Sequence, residues 1–260
     1  MPKNHQYDTI EVEDEGPIRV VSLNRADRHN ALSPRVIGDL RDALARAAAE
    51  PGVGVLVLRG HGPSFCAGAD LSDSPNGPSA ADIIDSTALF NQLEDFPQPT
   101  IVAVHGVACA GGLELVLASD LVVADADARI ADIHANVGLL PGTGGAFRLV
   151  RRVGPSLASE MIFTGEFFPV ADLKTAGLVN RIAEPGHAFD DAMTLARTLA
   201  SKSPLALAGS KRLIRRALEL DRENALAEAL GANRAHMQSH DYAEGLAAMR
   251  EKRRPQFTGR

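Results

Sequence analysis

The sequence predicts an α/β core followed by a helical C-terminal region. Several of its extended segments are unbroken apolar runs, such as "VLVL" at 55–58, and not alternations of apolar and polar residues. Such runs are typical of strands that are buried on both faces of a sheet. From about Gly186 the pattern is helical almost to the end of the chain. We therefore expect a core over residues 1–195 and a helical region over residues 196–260.

The extended and helical segments alternate along the first part of the chain, which is the rhythm of an α/β fold. In order they are the strands "TIEVE" and "IRVVSL", the helix "PRVIGDLRDALARAAAE", the strand "VGVLVLRG", a helix near residues 83–96 and the strand "TIVAVHG". The last strand signals are "LVVADAD" and "GLVNRIAE". Four helical segments follow them: "HAFDDAMTLARTLAS", "PLALAGSKRLIRRALEL", "RENALAEALGANRAHMQ" and "DYAEGLAAMREKRR".

Composition excludes several classes of function. The chain has 33 acidic and 27 basic residues, and the basic ones are scattered except near the C-terminus, so nucleic acid is not expected as the main partner. No apolar run approaches the roughly 18 residues that a membrane span needs. The first residues, "MPKNHQYDTI", lack the apolar middle of a signal peptide. We therefore expect a cytoplasmic protein that does not act in a membrane.

The two cysteines, Cys66 and Cys109, give no spacing that suits a zinc site. A catalytic thiol would require a partnered base, and the sequence shows none beside either cysteine. We therefore expect no disulfide framework and no metal, and we interpret both cysteines as small buried residues.

Two stretches rich in small residues follow strand ends, "SFCAGADLSD" at 64–73 and "ACAGGLELVLASD" at 108–120. Glycine and alanine let a ligand approach the main chain, and N–H groups at the start of a helix point outward at the positive end of its dipole. Two such loops could hold one oxygen anion together. They could also serve only as tight strand-to-helix turns. The Pro/Gly/Ser-rich segment 71–80, which overlaps the end of the first stretch, is expected to form a mobile rim.

Glu114 is the candidate acid/base of the second stretch, because it lies between leucines in "GGLELVLA". A carboxylate in the first turn of a helix is also stabilised by the helix dipole, but that role does not require apolar neighbours. Burial among leucines favours the neutral form of a carboxyl and raises its pKa. A raised pKa suits proton transfer near neutrality.

Six segments of the chain, in the same order, resemble the crotonase, or enoyl-CoA hydratase/isomerase, superfamily. They are "LNRADRHNALS", "GPSFCAGADLS", "VHGVACAGGLELVLASDLVVADADARIA", "GLLPGTGGAFRLVRRVG", "TGEFFPVADLKTAGLVNRIAEP" and "EGLAAMREKRRPQF". The resemblance implies a spiral of ββα units, a C-terminal helical region used for trimer formation, and an acyl-CoA thioester as substrate. It also implies that two backbone N–H groups, matched to Ala67 and Gly111, bind the thioester oxygen. No cofactor beyond the CoA of the substrate is implied.

For hydration, the resemblance implies two glutamates around a water molecule. Glu114 matches the first, but His134 stands at the second position, seven residues before the proline of "LLPGTGG". An imidazole titrates near neutrality and could replace the carboxylate as acid/base, or it could only fill the pocket of a divergent member. Asp132 is close in the chain, but in an extended segment it would point away from His134.

The resemblance also implies a set of CoA-binding residues. Arg25 and Arg28 correspond to the segment that borders the CoA nucleotide, and Lys252 could reach the CoA of an adjacent subunit. Solvated surface charges are the alternative interpretation of all three. The complete expected CoA-binding set is Arg25, Arg28, Ala69, Asp70, Leu71 and Lys252.

The sequence thus predicts an enzyme that stabilises a thioester enolate, with reversible hydration of 2-enoyl-CoA as the favoured reaction. Double-bond isomerisation, hydrolysis of a carbon–carbon bond in a β-dicarbonyl substrate, and acyl-CoA binding without catalysis are the alternatives. Apolar residues of the C-terminal helices are expected to bury against the core and other subunits in a homotrimer or a dimer of trimers: Leu205, Leu213, Ile214, Leu218, Leu226 and Leu230.

Overall fold

The computed structural model describes residues 7–72 and 77–260, and a six-stranded sheet forms the centre of that part of the chain. Its strands are β1 (Ile10–Glu15), β2 (Ile18–Leu23), β3 (Val55–Gly60), β4 (Thr100–Val104), β6 (Leu121–Asp125) and β9 (Arg181–Ala183). Their order is β1-β2-β3-β4-β6-β9. Only β1 and β2 pair antiparallel, and the other neighbours are parallel. Parallel neighbours require crossover connections, which the helices supply.

A second sheet of three strands lies beside the first in the described residues. It consists of β5 (Val107–Cys109), β7 (Arg129–Ala131) and β8 (Phe168–Pro169) in the order β5-β7-β8. Each of β5 and β7 follows a strand of the large sheet after only a few residues and precedes a helical segment. This repeated strand–strand–helix unit confirms the predicted spiral of ββα units.

The central strands are buried on both faces, as their continuous apolar sequences predicted. Every residue of β2 and β4 is buried. One face contributes Val21, Leu56 and Val102 to the larger of two hydrophobic clusters, and the other contributes neighbours such as Val20 and Val57 to the smaller one. Each such side chain stabilises the fold by about 1.5–3 kcal/mol relative to an exposed one.

The helices cover the two faces of the large sheet and extend beyond it. They are α1 (Pro34–Ala49), α2 (Ala80–Glu94), α3 (Gly111–Ala118), α4 (Gly145–Thr164), α5 (Val170–Thr175), α6 (Ala188–Ala200), α7 (Pro204–Arg216), α8 (Arg222–His236) and α9 (His240–Glu251). Short 3₁₀ helices occupy Ala26–Arg28 and His134–Val137. Several helices begin after a capping side chain: Ser33, Ser79, Ser203, Asp221 and Ser239 each accept a backbone N–H of the first turn.

The four helices predicted after Gly186 are α6 to α9. The expected boundary between residues 195 and 196 falls inside α6, whose Leu195 and Ala196 pack in the smaller hydrophobic cluster. No apolar residue of α7 or α8 is buried on the single chain, and Ile214, Leu226 and Leu230 are exposed, as is Leu218 just after α7. No helix in the described ranges has the length and apolar character of a membrane span.

Candidate active site

The two stretches rich in small residues lie side by side in the structure. Cys66 pairs with Ala108 in an isolated parallel bridge, and the Cys109 N–H donates to the Cys66 carbonyl over 3.1 Å. The contact leaves no space for larger residues, because a Cβ added at Gly112 would lie 2.2 Å from the Cys66 oxygen. A Cβ at Gly68 would lie 2.9 Å from the Ala110 Cβ. Small residues are therefore required here for the two backbones to meet.

Two backbone N–H groups at this junction are free to donate. Gly111 is the first residue of α3, so its N–H has no partner in the preceding turn. Ala110, just before it, has φ 48° and ψ −117°, a sparsely populated conformation that sets the direction of this N–H. Neither the Gly111 N–H nor the Ala69 N–H has an acceptor within residues 7–72 and 77–260. The two residues are close, because a Cβ added at Gly111 would lie 3.7 Å from the Ala69 nitrogen.

Ala67, which the sequence resemblance matched to one of these donors, uses its N–H elsewhere. That N–H donates to the His29 carbonyl over 3.0 Å, and the Ala67 carbonyl accepts the Cys109 thiol over 3.3 Å. Both hydrogen bonds tie Ala67 into the surrounding backbone, which conflicts with the donor role predicted for it. Ala69, predicted only as a CoA contact, has the free N–H instead.

Glu114 is buried, with only 3% of its surface exposed, in the first turns of α3. Its Oε1 accepts the Gly145 N–H over 3.0 Å, and the Thr143 side chain is a second hydrogen-bond partner. Burial raises the pKa of this carboxyl, against the effect of Thr143, the nearby His134 charge and Gly145. The net rise confirms the direction that its apolar neighbours predicted. Thr143 was not singled out from the sequence, although it lies in the quoted "LLPGTGG".

His134 forms a hydrogen bond with Asp132, so the expectation that Asp132 points away from it is wrong. His134 Nδ1 lies 2.7 Å from Asp132 Oδ1, and the His134 backbone N–H donates to the same oxygen over 3.2 Å. The expectation assumed an extended segment, but β7 ends at Ala131. Ile133 then turns with φ −98° and ψ 8° into the 3₁₀ helix that starts at His134. The turn brings the two side chains together.

The pKa of His134 is raised although the ring is partly buried. Burial alone lowers the pKa of an imidazole, but the hydrogen bond and charge of Asp132, together with the charge of Glu114, outweigh it. The Asp132 side chain is itself only 1% exposed. The charges of Glu114 and the buried Asp132 therefore both act on the His134 ring.

The two cysteines are buried free thiols, as the sequence predicted. Burial raises the pKa of Cys66 to about 12. Burial and the charge of Asp132 raise the pKa of Cys109 to about 11. Because the thiolate is the reactive species, neither residue is a nucleophile near neutral pH.

The predicted CoA-binding residues are only partly brought together. Arg25 Nη1 donates to Asp70 Oδ2 over 2.9 Å and to the Ala31 carbonyl over 2.8 Å, beside the free Ala69 N–H. Arg28 is exposed, with its nearest carboxylate, Asp27, 3.8 Å away. Exposed positions are also occupied by Leu71, in the loop after Asp70, and by Lys252, at the end of α9. Residues 73–76 of the expected mobile rim lie outside the described residues.

Comparison with known proteins identifies the family of the chain. A family model described as enoyl-CoA hydratase/isomerase matches residues 13–260. The chain is 35% identical over 244 residues to the 2,3-dehydroadipyl-CoA hydratase of Escherichia coli, with 94% of this chain and 96% of that protein covered. It is 34% identical over 261 residues to human mitochondrial methylglutaconyl-CoA hydratase, covering 96% of this chain and 76% of that one. An enoyl-CoA hydratase structure from Bacillus anthracis superposes with a TM-score of 0.94 at 30% identity, covering 97% and 100% of the two chains. The chain belongs to the enoyl-CoA hydratase/isomerase family.

Proposed function

We propose that this protein is an acyl-CoA enzyme that adds water reversibly to the double bond of a 2-enoyl-CoA thioester. The observation that supports the proposal most is a juxtaposition. Two free backbone N–H groups, on Ala69 and Gly111, lie close together, and Gly111 begins the helix that carries the buried Glu114. Fixed donors suit an oxygen that becomes negative during a reaction, and a buried carboxyl with a raised pKa suits proton transfer next to it.

The N–H pair stabilises the enolate. When the oxygen of water bonds to the β-carbon, the electron pair of the double bond moves through the α-carbon onto the thioester oxygen. The N–H groups of Ala69 and Gly111 donate to that oxygen. Loss of one such donor in other enzymes raises the barrier by about 2.7–4 kcal/mol.

Glu114 and His134 move the protons. The Glu114 carboxylate takes one proton from the attacking water, and the protonated His134 gives one proton to the α-carbon of the enolate. Hydrogen and hydroxyl have then been added across the double bond, with Glu114 protonated and His134 neutral. Return of a proton from Glu114 to His134, directly or through solvent, restores the starting state.

CoA binding is proposed for the loop that carries the first donor and for basic residues nearby. The ion pair between Arg25 and Asp70 supports this, because Asp70 directly follows Ala69 and the pair fixes the loop. Arg28 and Leu71 remain candidates for contacts with the nucleotide and pantetheine parts. Lys252, exposed at the end of α9, is a candidate for the CoA of an adjacent subunit.

The hydrogen bond between Asp132 and His134 favours one second candidate function. A histidine supported by a carboxylate can take a proton from water, which could then attack a ketone in a β-dicarbonyl CoA substrate. Cleavage of the bond between the α- and β-carbons would leave the same enolate on the N–H pair. The raised pKa of His134 favours its protonated form, which supports hydration over this alternative.

Mass analysis of products separates these functions. We expect the purified protein to add one water to at least one of a panel of 2-enoyl-CoA thioesters. Splitting of a 3-oxoacyl-CoA panel would support carbon–carbon hydrolysis, and unchanged mass with altered absorbance would indicate isomerisation. Binding of acyl-CoA without any product would contradict an enzymatic role. Glu114→Gln is the negative control, and its product yield should fall to background.

A homotrimer or dimer of trimers is proposed on the basis of the helical region. Ile214, Leu218 and Leu230 are each more than 60% exposed on the single chain. Apolar patches of this kind are typical of protein–protein contacts. Sedimentation velocity at micromolar concentration should give a trimer or a hexamer, and a clean monomer would contradict the proposal.

A further inference from the structure

We propose that Asp132 is a positioning residue that fixes the orientation of His134 and keeps it as the proton donor of the site. The inference rests on the proposed function, because it assigns a role within the same site. The second glutamate implied by the family resemblance is absent here, and a histidine with its own buried carboxylate takes its place.

The geometry fixes the ring at two points. Asp132 Oδ1 accepts the His134 backbone N–H as well as Nδ1, so main chain and ring are held by one oxygen. An ionised carboxylate only accepts hydrogen bonds, so we assign the proton to Nδ1. The other ring nitrogen, Nε2, is then the one available to a substrate. The Asp132 side chain is almost fully buried, which limits its movement.

The charges around the ring favour the imidazolium. Asp132 acts on it from the end of β7, and Glu114 acts on it from α3. The Asp132 charge also acts on Cys109, at the end of β5. Burial and this charge raise the pKa of the Cys109 thiol to about 11, so the thiol stays neutral. Burial of the ring disfavours the imidazolium, but the two carboxylates stabilise it. A protonated histidine can donate to carbon, whereas a neutral one in this orientation has only a lone pair at Nε2.

A purely structural role for Asp132 must be distinguished from this one. The bond to the His134 backbone N–H could serve only to start the 3₁₀ helix. Asp132→Asn separates the two roles, because an amide oxygen can accept both N–H groups while the negative charge is lost. The matched control is Asp125→Asn. Asp125 is equally buried, but its hydrogen bonds go to the backbone N–H groups of Gly186, His187 and Ala188.

The first measurement is the NMR titration of the His134 ring in histidine-labelled protein, assigned with His134→Gln. In wild type we expect a midpoint above the usual value of about 6.5. Asp132→Asn should lower that midpoint by about 1 to 3 pH units, the usual effect of removing a close opposite charge. Asp125→Asn should leave it in place. No substrate is required, so this test does not depend on the proposed reaction.

The second measurement is the pH dependence of kcat with a thioester that the mass assay identifies. Loss of the Asp132 charge should move the alkaline limb to lower pH by the same 1 to 3 units. The acid-side rate should stay closer to wild type, and KM should be unchanged because the buried Asp132 is proposed to act only through His134. A fall in kcat that is equal at every pH would overturn the proposal. So would a wild-type His134 midpoint below about 6.5, which remains measurable even if Asp132→Asn does not fold.

Discussion

The two sides of the candidate site differ in what they are made of. One side consists of backbone N–H groups, held by contacts that require glycine and by the unusual conformation of Ala110. The other side consists of Glu114, His134 and Asp132, whose charges influence one another. The first side presents backbone donors to a ligand, whereas the second presents ionisable side chains. In the proposed mechanism, anion binding thus depends on the backbone fold, whereas proton transfer depends on three side chains.

The largest expected effect concerns the side of the site that consists of Glu114, His134 and Asp132. Glu114→Gln keeps the shape of the residue but cannot accept a proton, so kcat should fall by about 10²–10⁴. Binding of a saturated acyl-CoA should change little, because the N–H groups of Ala69 and Gly111 remain. The control is Glu166→Gln on the surface, which should retain full activity. Comparable kcat values for Glu114→Gln and wild type would show that Glu114 is not the acid/base.

A slightly smaller effect is expected on the side of the site that consists of backbone N–H groups. Gly112→Ala places a Cβ 2.2 Å from the Cys66 carbonyl, so the start of α3 must shift and move the Gly111 N–H. We expect kcat to fall by about 10²–10³ at every pH, with the shape of the pH profile retained. Gly38→Ala, in α1, is the matched control. Its Cβ would meet nothing within 4 Å, and it should stabilise the fold by about 0.5–1 kcal/mol. A changed pH profile in Gly112→Ala would break the distinction between the two sides.

The pH dependence of the wild type tests the same distinction. Burial raises the pKa of Glu114, so the acid limb of kcat should lie above the range of an ordinary carboxyl. Burial opposes protonation of His134, but its hydrogen bond to Asp132 and the charges of Asp132 and Glu114 prevail, so the alkaline limb of kcat should lie above the range of an ordinary histidine. Outside these limbs kcat should change about tenfold per pH unit. Binding of a saturated acyl-CoA, measured by calorimetry over the same range, should stay nearly flat.

The smallest expected effect concerns the loop that carries Ala69. Arg25→Gln removes the partner of Asp70, an ion pair that is partly exposed on the arginine side. Such pairs contribute about 1 kcal/mol or less, so we expect KM to rise by about fivefold at most and kcat to stay the same. Steady-state kinetics measure both. A large loss of kcat would mean that Arg25 acts at the reacting atoms.

Most of the fold could be predicted from the sequence, because its signals are local. Continuous apolar runs predicted the buried strands, and Glu114 was recognised from its apolar neighbours within one helix. The choice between the amides of Ala67 and Ala69 was not accessible in this way. It depends on hydrogen bonds to His29 and Leu32, which lie more than thirty residues earlier in the chain.

The pairing of Asp132 with His134 was missed for a related reason. It depends on the turn at Ile133, and no glycine or proline marks a turn between these residues. An isoleucine after a strand suggests that the strand continues. The hydrogen bond itself supports the turn, and propensity alone does not include that contribution.

The raised pKa values of Cys66 and Cys109 make this chain a convenient host for chemical labels. Maleimides and iodoacetamides react with thiolates, and these two buried thiols supply almost none near neutral pH. A cysteine introduced at the exposed Ala81, in α2 just after the Pro/Gly/Ser-rich segment, should therefore be modified selectively while both native cysteines stay in place. A fluorophore or spin label attached there would report on that segment as thioester arrives, without altering the backbone that meets at Gly68 and Gly112.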